Sequence, residues 1–249
     1  MMRGLVRIEA IARREVASLF LSPVAYVVIC LFLLLNGWIF YFDAQSLRSS
    51  PQQIEFVVKA LYGKVPFWCL VLTPFITMRL VAEEKRSGTL EGLMTAPVTS
   101  AHVVLGKFIA AQTFFSLIWV TLLLHVTVLA VLGDVDPGPV IAVNIGTFAL
   151  GAAMNALGLA ASSLTRNQIV AAIVSFMGNL MLLLSDMLRD VLPRDPETER
   201  LLDYVGVMNH FQNEYLRGVV DLRFLGLYLA WTLLFLFLAV RSVEARRWR

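Results

Sequence analysis

The chain has 249 residues, of which 58% are apolar and 16% are charged, and its formal net charge is +3. Soluble domains carry about 25% charged residues, so this composition, with a mean hydropathy of +0.74, leaves too little polar surface to cover a single soluble core. It predicts a polytopic membrane protein.

The first 22 residues predict an amphipathic helix that lies in the membrane interface. Its apolar positions recur at offsets of three and four: Leu5, Ile8, Ala12, Val16 and Leu19. A second face carries Arg3, Arg7, Arg14 and Ser18. Pro23 marks the corner into the first span, because proline suits the first turn of a helix. A partly frayed basic tail is the alternative interpretation.

Six apolar runs reach or nearly reach the length of about 20 residues that a spanning helix needs. No small-x-small cleavage site follows the first run, so we expect it to be retained as a membrane helix. The predicted spans cover residues 23–42, 65–82, 108–132, 140–164, 168–188 and 224–240.

The distribution of arginine and lysine predicts the orientation of these spans. Because the number of spans is even, both termini lie on one side of the membrane. Most of the basic residues fall on that side, in the two tails, the two–three loop and the four–five turn: Arg3, Arg7, Arg13, Arg14, Arg79, Lys85, Arg86, Lys107, Arg166, Arg241, Arg246, Arg247 and Arg249. We therefore expect both termini to be cytoplasmic.

A charged insert between the second and third spans is the most informative feature of the sequence. We expect Glu83, Glu84 and Lys85 to continue the second span into water, and Gly88 to interrupt that helix. A short second helix would follow, with Glu91 in its first turn, where an acid suits the helix dipole. Its apolar face and its end are marked by Leu90, Leu93, Met94 and Pro97. Such a helix has the shape needed to dock into a groove on a partner; an ordinary solvated basic loop is the alternative.

The sequence contains no motif for catalysis or nucleotide binding. A Gly-x-x-x-x-Gly-Lys-Ser/Thr loop is missing, so an ATPase would be a separate polypeptide. A His-Glu-x-x-His pair and a mid-span carboxylate pair are also missing, which argues against an intramembrane enzyme. Cys30 and Cys69 lie in apolar runs, and His125 is better explained as a satisfied interior residue than as a ligand. Because the spans lack a charged lining, a lipidic or hydrophobic cargo is favoured over an ion.

Several segments, taken in chain order, resemble the type-2 ABC exporter permeases, and most closely the gliding-motility-type permease subfamily. The longest segment runs from Met78 to Glu91, through the charged insert, and the next runs from Gly158 to Gln168. The shorter segments are Ala96-Pro97-Val98, Leu105-Gly106-Lys107-Phe108, Asn209-His210-Phe211, Arg217-Gly218-Val219-Val220-Asp221 and Arg246-Arg247-Trp248. Together they extend over nearly the whole chain.

The resemblance implies an all-α polytopic membrane protein with a single transmembrane domain over residues 1–249. This domain would have six spans, an N-terminal interfacial helix, a cytoplasmic coupling helix between spans two and three, and short outer helices between spans five and six. It would be the non-enzymatic permease subunit of an ATP-driven exporter in the bacterial cytoplasmic (inner) membrane.

The resemblance also implies partners. Two permeases, identical or different, would sit on two cytoplasmic ABC ATPase subunits that bind ATP and Mg²⁺, so no cofactor or metal is expected in this chain. Membrane lipid and an accessory periplasmic protein are further expected partners, and nucleic acid is not. A non-transporting membrane anchor or assembly factor that recruits an ATPase is the alternative function.

Three groups of functional residues follow from the same resemblance. The ATPase-coupling contact falls on Glu83, Glu84, Lys85, Arg86, Gly88, Thr89, Leu90, Glu91, Leu93 and Pro97. A second cytoplasmic contact falls on Arg166, Asn167 and Gln168. The outer gate segment falls on His210, Phe211, Arg217 and Gly218.

Overall fold

The computed structural model describes residues 2–45, 54–89, 98–190 and 195–245. Within these ranges the chain is helical and has no strand. The main helices are α1 (Met2–Phe20), α2 (Pro23–Gln45), α3 (Ile54–Gly63), α4 (Val65–Thr77), α5 (Ala82–Ser87), α6 (Ser100–Leu132), α7 (Pro137–Leu164), α8 (Gln168–Leu183), α9 (Pro196–Val205) and α10 (Leu222–Glu244). Short helical segments follow α8 and join α9 to α10: Leu184–Asp190, Val207–Asn209, His210–Glu214 and Tyr215–Arg217.

Six stretches of these helices are long and apolar enough to cross a membrane, which confirms the predicted number of spans for the described part of the chain. They are Pro23–Gln45, Ile54–Ser87, Ser100–Leu132, Pro137–Leu164, Gln168–Met187 and Leu222–Glu244. Each predicted span overlaps one of these stretches.

The second span differs most from its prediction, because it begins at Ile54 and not near residue 65. The additional turns belong to α3, whose buried face carries Ile54, Val57, Val58, Leu61 and Tyr62. The charged Glu55 and Lys59 lie on its other face and pair with each other at 2.5 Å. These two charges lower the mean hydropathy of the segment. A search for apolar runs therefore does not detect α3, although one side of the helix is apolar and packs in the bundle.

Helix α7 forms the centre of the bundle and packs against α4, α6, α8 and α10. Its glycines allow neighbouring side chains to approach the backbone. A Cβ atom at Gly146 would lie 2.8 Å from the ring of Tyr215, and one at Gly151 would overlap the ring of Phe115. The small residues of this span therefore serve close helix packing within the chain.

Helix α1 packs along the first half of α6. A Cβ atom at Gly106 of α6 would lie 2.7 Å from Cγ2 of Ile11, and the rings of Phe20 and Phe114 are 5.2 Å apart. The 33 residues of α6 extend about 50 Å at about 1.5 Å per residue, whereas the hydrocarbon core is about 30 Å thick. Helix α6 is therefore long enough to project beyond that core. The helical state of α1 agrees with its sequence pattern, and its location in the membrane interface stays a prediction.

The bundle has two ends, which we name after their short helices. The α5 end contains α5, the α7–α8 turn, the start of α6 and the end of α10; there Ser242 Oγ donates a hydrogen bond to the carbonyl oxygen of Ser163 at 2.7 Å. The α9 end contains α9, the short helical segments and the α6–α7 turn. Gly218 adopts a φ of 83° there, a conformation that favours glycine, and an added Cβ atom would lie 3.2 Å from the nitrogen of Pro139.

Candidate functional site

The α5 segment, which we define as residues 78–89, is the described part of the predicted coupling contact. The helix does not continue from α4 into α5, because residues 78–81 form a turn. Ser162 Oγ of α7 accepts hydrogen bonds from the backbone N–H groups of Val81 and Ala82 at 3.1 and 3.0 Å. It donates one to the carbonyl oxygen of Met78 at 3.0 Å. One hydroxyl group therefore takes up the backbone groups that the interruption of the helix leaves without intrahelical partners.

Lys85 faces the bundle and does not extend into water as the sequence predicts. Its side chain is buried, and Nζ donates a hydrogen bond to the carbonyl oxygen of Ser163. That carbonyl group lies in the last turn of α7, where the helix dipole favours a cation. Because Ser242 of α10 donates to the same oxygen, this contact joins α5, α7 and α10.

Glu83 connects the α5 segment to the second predicted contact. Gln168 Nε2 donates a hydrogen bond to Glu83 Oε2, and Asn167 Oδ1 caps α8 by accepting from the N–H group of Ile169 at 2.9 Å. Arg166 is exposed in the same turn. The structure thus brings the two groups of residues predicted at this end into one continuous surface.

A group of charges lies beneath the α5 segment, and we name Arg14, Glu15, Glu84 and Lys107 the Lys107 cluster. Three of these side chains are largely buried, and that of Arg14 is 55% exposed. Nζ of Lys107 lies 2.9 Å from Glu84 Oε1 and 3.1 Å from Glu15 Oε1, and the Lys107 side chain is 0% exposed. Arg14 Nη2 lies 2.8 Å from Glu15 and 3.0 Å from Glu84. Two cations and two carboxylates therefore balance in a site that joins α1, α5 and α6.

The environment of Glu15 favours its ionised form. Burial raises the pKa of this carboxyl group, but the charges of Lys107 and Arg14, together with their hydrogen bonds, more than offset burial and hold the pKa below its ordinary value. An opposite charge within about 4–6 Å has this effect. Glu15 is therefore ionised at neutral pH.

Sequence reasoning did not identify Glu15, Arg14, Lys107 or Ser162 as functional residues. The basic-residue pattern places Lys107 in the two–three loop, yet the residue is fully buried. The only available signal is a lysine directly before the apolar run that begins at Phe108, because a buried cation requires an acidic partner. Nothing in the sequence indicates that this partner comes from both α1 and α5.

The outward face of the α5 segment is open to a partner. The Arg86 side chain is 67% exposed and pairs with Glu83 at 3.2 Å. Gly88 follows with a φ of 74° and ends α5, as the sequence predicts. Thr89 is the last described residue of this part of the chain. The predicted contacts Leu90, Glu91, Leu93 and Pro97 lie outside the described residues.

The predicted outer gate residues lie close together at the α9 end but have different surroundings. Phe211 is buried against Tyr215, with ring centroids 5.2 Å apart. Arg217 is exposed, and Gly218 forms the turn that meets Pro139. These positions therefore include both packed and accessible residues.

His210 is the central residue of this segment and is fully buried. Its ring stacks on Phe224 at 3.7 Å between centroids. Nε2 lies 3.2 Å from the carbonyl oxygen of Asp203, and Nδ1 lies 3.0 Å from the hydroxyl oxygen of Tyr228. Because a carbonyl oxygen can only accept, Nε2 carries the proton, and neutral Nδ1 accepts from Tyr228. The neutral imidazole thus satisfies both of its nitrogen atoms.

Acidification is expected to loosen the α9 end through His210. Burial lowers the pKa of His210, although the carbonyl of Asp203 and the charges of Asp186 and Asp221 oppose this effect. A neutral histidine in the folded state contributes stability that is complete above its unfolded pKa, about 6.5, and that declines as the pH falls below this value. Hydrogen exchange over residues 196–217, corrected for intrinsic rates, should be faster at pH 5.5 than at pH 7.5.

Two variants separate this effect from general acid sensitivity. His210→Gln should remove most of the pH dependence, whereas His102→Gln, which changes a partly exposed residue in the first turn of α6, should retain it. Equal pH dependence in the wild type and His210→Gln would contradict the role given to His210.

Comparison with known proteins identifies the family of the chain. The model of the ABC-2 family transporter proteins matches residues 39–187, from the second half of α2 to the segment after α8. A search of curated proteins found no match. This match and the six apolar helices found in the described ranges indicate a multi-pass membrane protein of the transporter class. The chain belongs to the ABC-2 transporter family, whose membrane component is a permease subunit that works with an ABC ATPase subunit.

Proposed function

We propose that this permease belongs to an ATP-driven exporter and receives movement from a cytoplasmic ATPase through the α5 segment. The proposal rests on the bonds that attach the α5 segment to three spans. Its inner side is bonded to α7 through Ser162 and Ser163, to α8 through Gln168, and to α6 through Lys107. A displacement of its outward face therefore acts on several spans at once.

The strength of these links supports a rigid connection. Hydrogen bonds to charged groups contribute about 1.5–3 kcal/mol each, and the links of Lys85 and Glu83 are of this kind. Glu84 adds an ion pair with the buried Lys107. Bending the segment away from the spans would break several of them together. Movement of the whole bundle relative to a second permease subunit is the easier response, and it would change which side of the transport path is open.

The remaining parts of the proposal follow the sequence resemblance. The chain would lie in the bacterial cytoplasmic membrane with the α5 end and both termini in the cytoplasm. The segment around His210 would close the path on the outer side, and the cargo would be lipidic or hydrophobic. The proposal includes membership of the gliding-motility-type permease subfamily but not a role in gliding itself.

Charge reversal at Arg86 tests the contact with the ATPase. The complex would be purified from native membranes through a tag on the permease, and the bound ATPase would be quantified by mass spectrometry. Arg86→Glu is expected to reduce ATPase recovery by about tenfold or more, because like-charge contacts at an interface cost several kcal/mol. Glu84 is a poorer choice, since its side chain is only 16% exposed and pairs with Lys107.

Arg241→Glu is the matched control for this experiment. Arg241 lies at the same end of the bundle on α10, and its side chain is 66% exposed. It should leave ATPase recovery unchanged. Equal recovery in both variants, or an equal loss, would contradict a docking role for α5. The anchor or assembly function would be favoured by a different combination of results. Arg86→Glu would reduce ATPase recovery, but ATP added to the wild-type complex would cause no conformational change in the permease.

Thiol labelling tests the orientation. In a Cys30→Ser background, which removes the exposed native cysteine, Ser87→Cys places a reactive group on the exposed part of α5. A membrane-impermeant maleimide is expected to label it only after the cells are permeabilised. Labelling of intact cells would place the α5 end outside and overturn the proposed coupling. Gln212→Cys, an exposed position at the α9 end, should show the opposite pattern.

A further inference from the structure

Helices α1 and α5 are fastened to each other as well as to α6. Arg79 Nη2 donates hydrogen bonds to Ser18 at the end of α1, at 2.7 Å to the carbonyl oxygen and 3.0 Å to Oγ. Arg14 of α1 donates to Glu84 of α5 at 3.0 Å. Glu15 and Glu84 then share the single ammonium group of Lys107. These contacts connect the α5 segment to two successive turns of α1.

Because the ammonium group of Lys107 is buried, separating either carboxylate from it costs free energy. The side chains of Glu15 and Glu84 are 11% and 16% exposed, and that of Lys107 is 0% exposed. Removing one partner from a buried ion pair is strongly destabilising, because it leaves a charge without compensation. By contrast, the Glu9–Arg13 pair on α1 has side chains that are 59% and 81% exposed, and exposed pairs contribute little. The buried set is therefore the stronger link between the two helices.

The contact between α1 and α6 completes the path. Ile11 packs over Gly106, and Phe20 meets Phe114, two turns further along α6. Helix α1 therefore contacts the start of α6 over several turns. Helix α5 has only six residues and is too short to make a comparable contact. Through Lys107, the short helix gains the longer one as a second attachment to the third span.

From this arrangement we infer that Lys107 is a positioning residue that joins α1 and α5 into one lever. A load applied to α5 then reaches α6 directly through the Glu84–Lys107 pair and also through α1. The inference rests on the proposed function, because the load is that of the bound ATPase. It assigns a transmission role to α1, in addition to any contact that α1 makes with lipid.

Distance measurements on the purified complex test the lever. Spin labels at Ala10→Cys, an exposed position of α1, and at Ser87→Cys, in the Cys30→Ser background, report the separation of α1 and α5 by double electron–electron resonance. The complex would contain its ATPase in lipid nanodiscs, with unlabelled permease in excess so that the distances lie within one chain. Without mutation of the cluster, the distance should be the same in the absence of nucleotide and with ATP plus vanadate.

Glu15→Met removes the carboxylate of α1 from Lys107 and leaves Glu84 in place. The distance should then match the parent without nucleotide and increase with ATP plus vanadate, because α5 moves and α1 no longer follows. Glu9→Met is the matched control on the same helix and should behave like the parent. A merely structural role of Glu15 would broaden the distance distribution equally in both nucleotide states.

Three results would overturn the lever: a nucleotide-dependent distance in the parent, no nucleotide-dependent change in Glu15→Met, or equal broadening in both states of that variant. ATP hydrolysis by the bound ATPase is measured in parallel. Hydrolysis that is independent of the permease contradicts the proposed function and the lever with it. Normal permease-dependent hydrolysis combined with any of the three results contradicts the lever alone.

Discussion

Replacing Lys107 with methionine is expected to lower the free energy of unfolding by about 3–5 kcal/mol. Methionine approximates the length of the lysine stem, so packing is largely kept while the buried charge is lost. Glu15 and Glu84 would then face each other with only the partly exposed Arg14 to compensate them. Thermal unfolding of the purified protein in detergent, followed by size-exclusion chromatography after heating, measures the loss.

Two further variants show whether buried charge is the cause. Lys59→Met removes a lysine from an ion pair whose side chains are 43% and 70% exposed, and it should cost about 0–1 kcal/mol. The double variant Lys107→Met with Glu15→Met restores charge balance in the cluster, so it should be more stable than Lys107→Met alone. If the free energy of unfolding of the double variant falls by the sum of the losses in Lys107→Met and Glu15→Met, the two residues act independently.

Alanine at Gly158 is expected to have the second large effect, at about 1–3 kcal/mol of lost stability, because extra volume in a packed core forces side chains and backbone apart. Gly158 lies where α7 crosses α4 and α8. An added Cβ atom would overlap Oγ1 of Thr77 and lie 2.8 Å from Oγ of Ser175. The same detergent-based unfolding measurement applies, and Gly158→Leu should prevent recovery of folded protein.

Gly226→Ala provides the matched control on another span. A Cβ atom at Gly226 of α10 would have no neighbour within 4 Å, and alanine favours helix over glycine by about 1 kcal/mol. This variant should therefore be neutral or slightly stabilising. Equal losses at both positions would contradict crowding at the crossing of α4, α7 and α8 as the cause, because helix propensity favours alanine at both sites.

The crossing at Gly158 also shows how the polar residues of the spans are accommodated. Asn179 of α8 donates a hydrogen bond to Thr73 Oγ1 of α4 at 2.8 Å, and Asn155 of α7 donates to Gln112 of α6 at 3.0 Å. Polar side chains within spans are expected to find such partners between helices. The sequence indicates that these groups need partners, but it does not identify them, because each partner lies on a different span.

The charged insert shows the limit of local reasoning most clearly. Its pattern correctly predicts an interruption at Gly88, since a positive φ is a property of that position and its residue type. The expected extension of Glu84 and Lys85 into water is wrong, because both side chains turn inward to Lys107 and Ser163. Charge alone does not reveal burial, which depends on whether a compensating group arrives from elsewhere in the chain.

For the described part of the chain, the sequence by itself determines six helices that are long and apolar enough to cross a membrane, and an N-terminal helix. Apolar length and helical periodicity are local properties that need no knowledge of neighbours. Its motifs also indicate the transporter class, and the family match confirms it. Tertiary structure alone determines which helices hold the α5 segment. Arg14 and Glu84 are separated by 70 residues, and Ser162 and Val81 by 81. Such contacts are selected by packing of the whole bundle, since a buried charge or an unpaired backbone group is stable only where the fold delivers its partner.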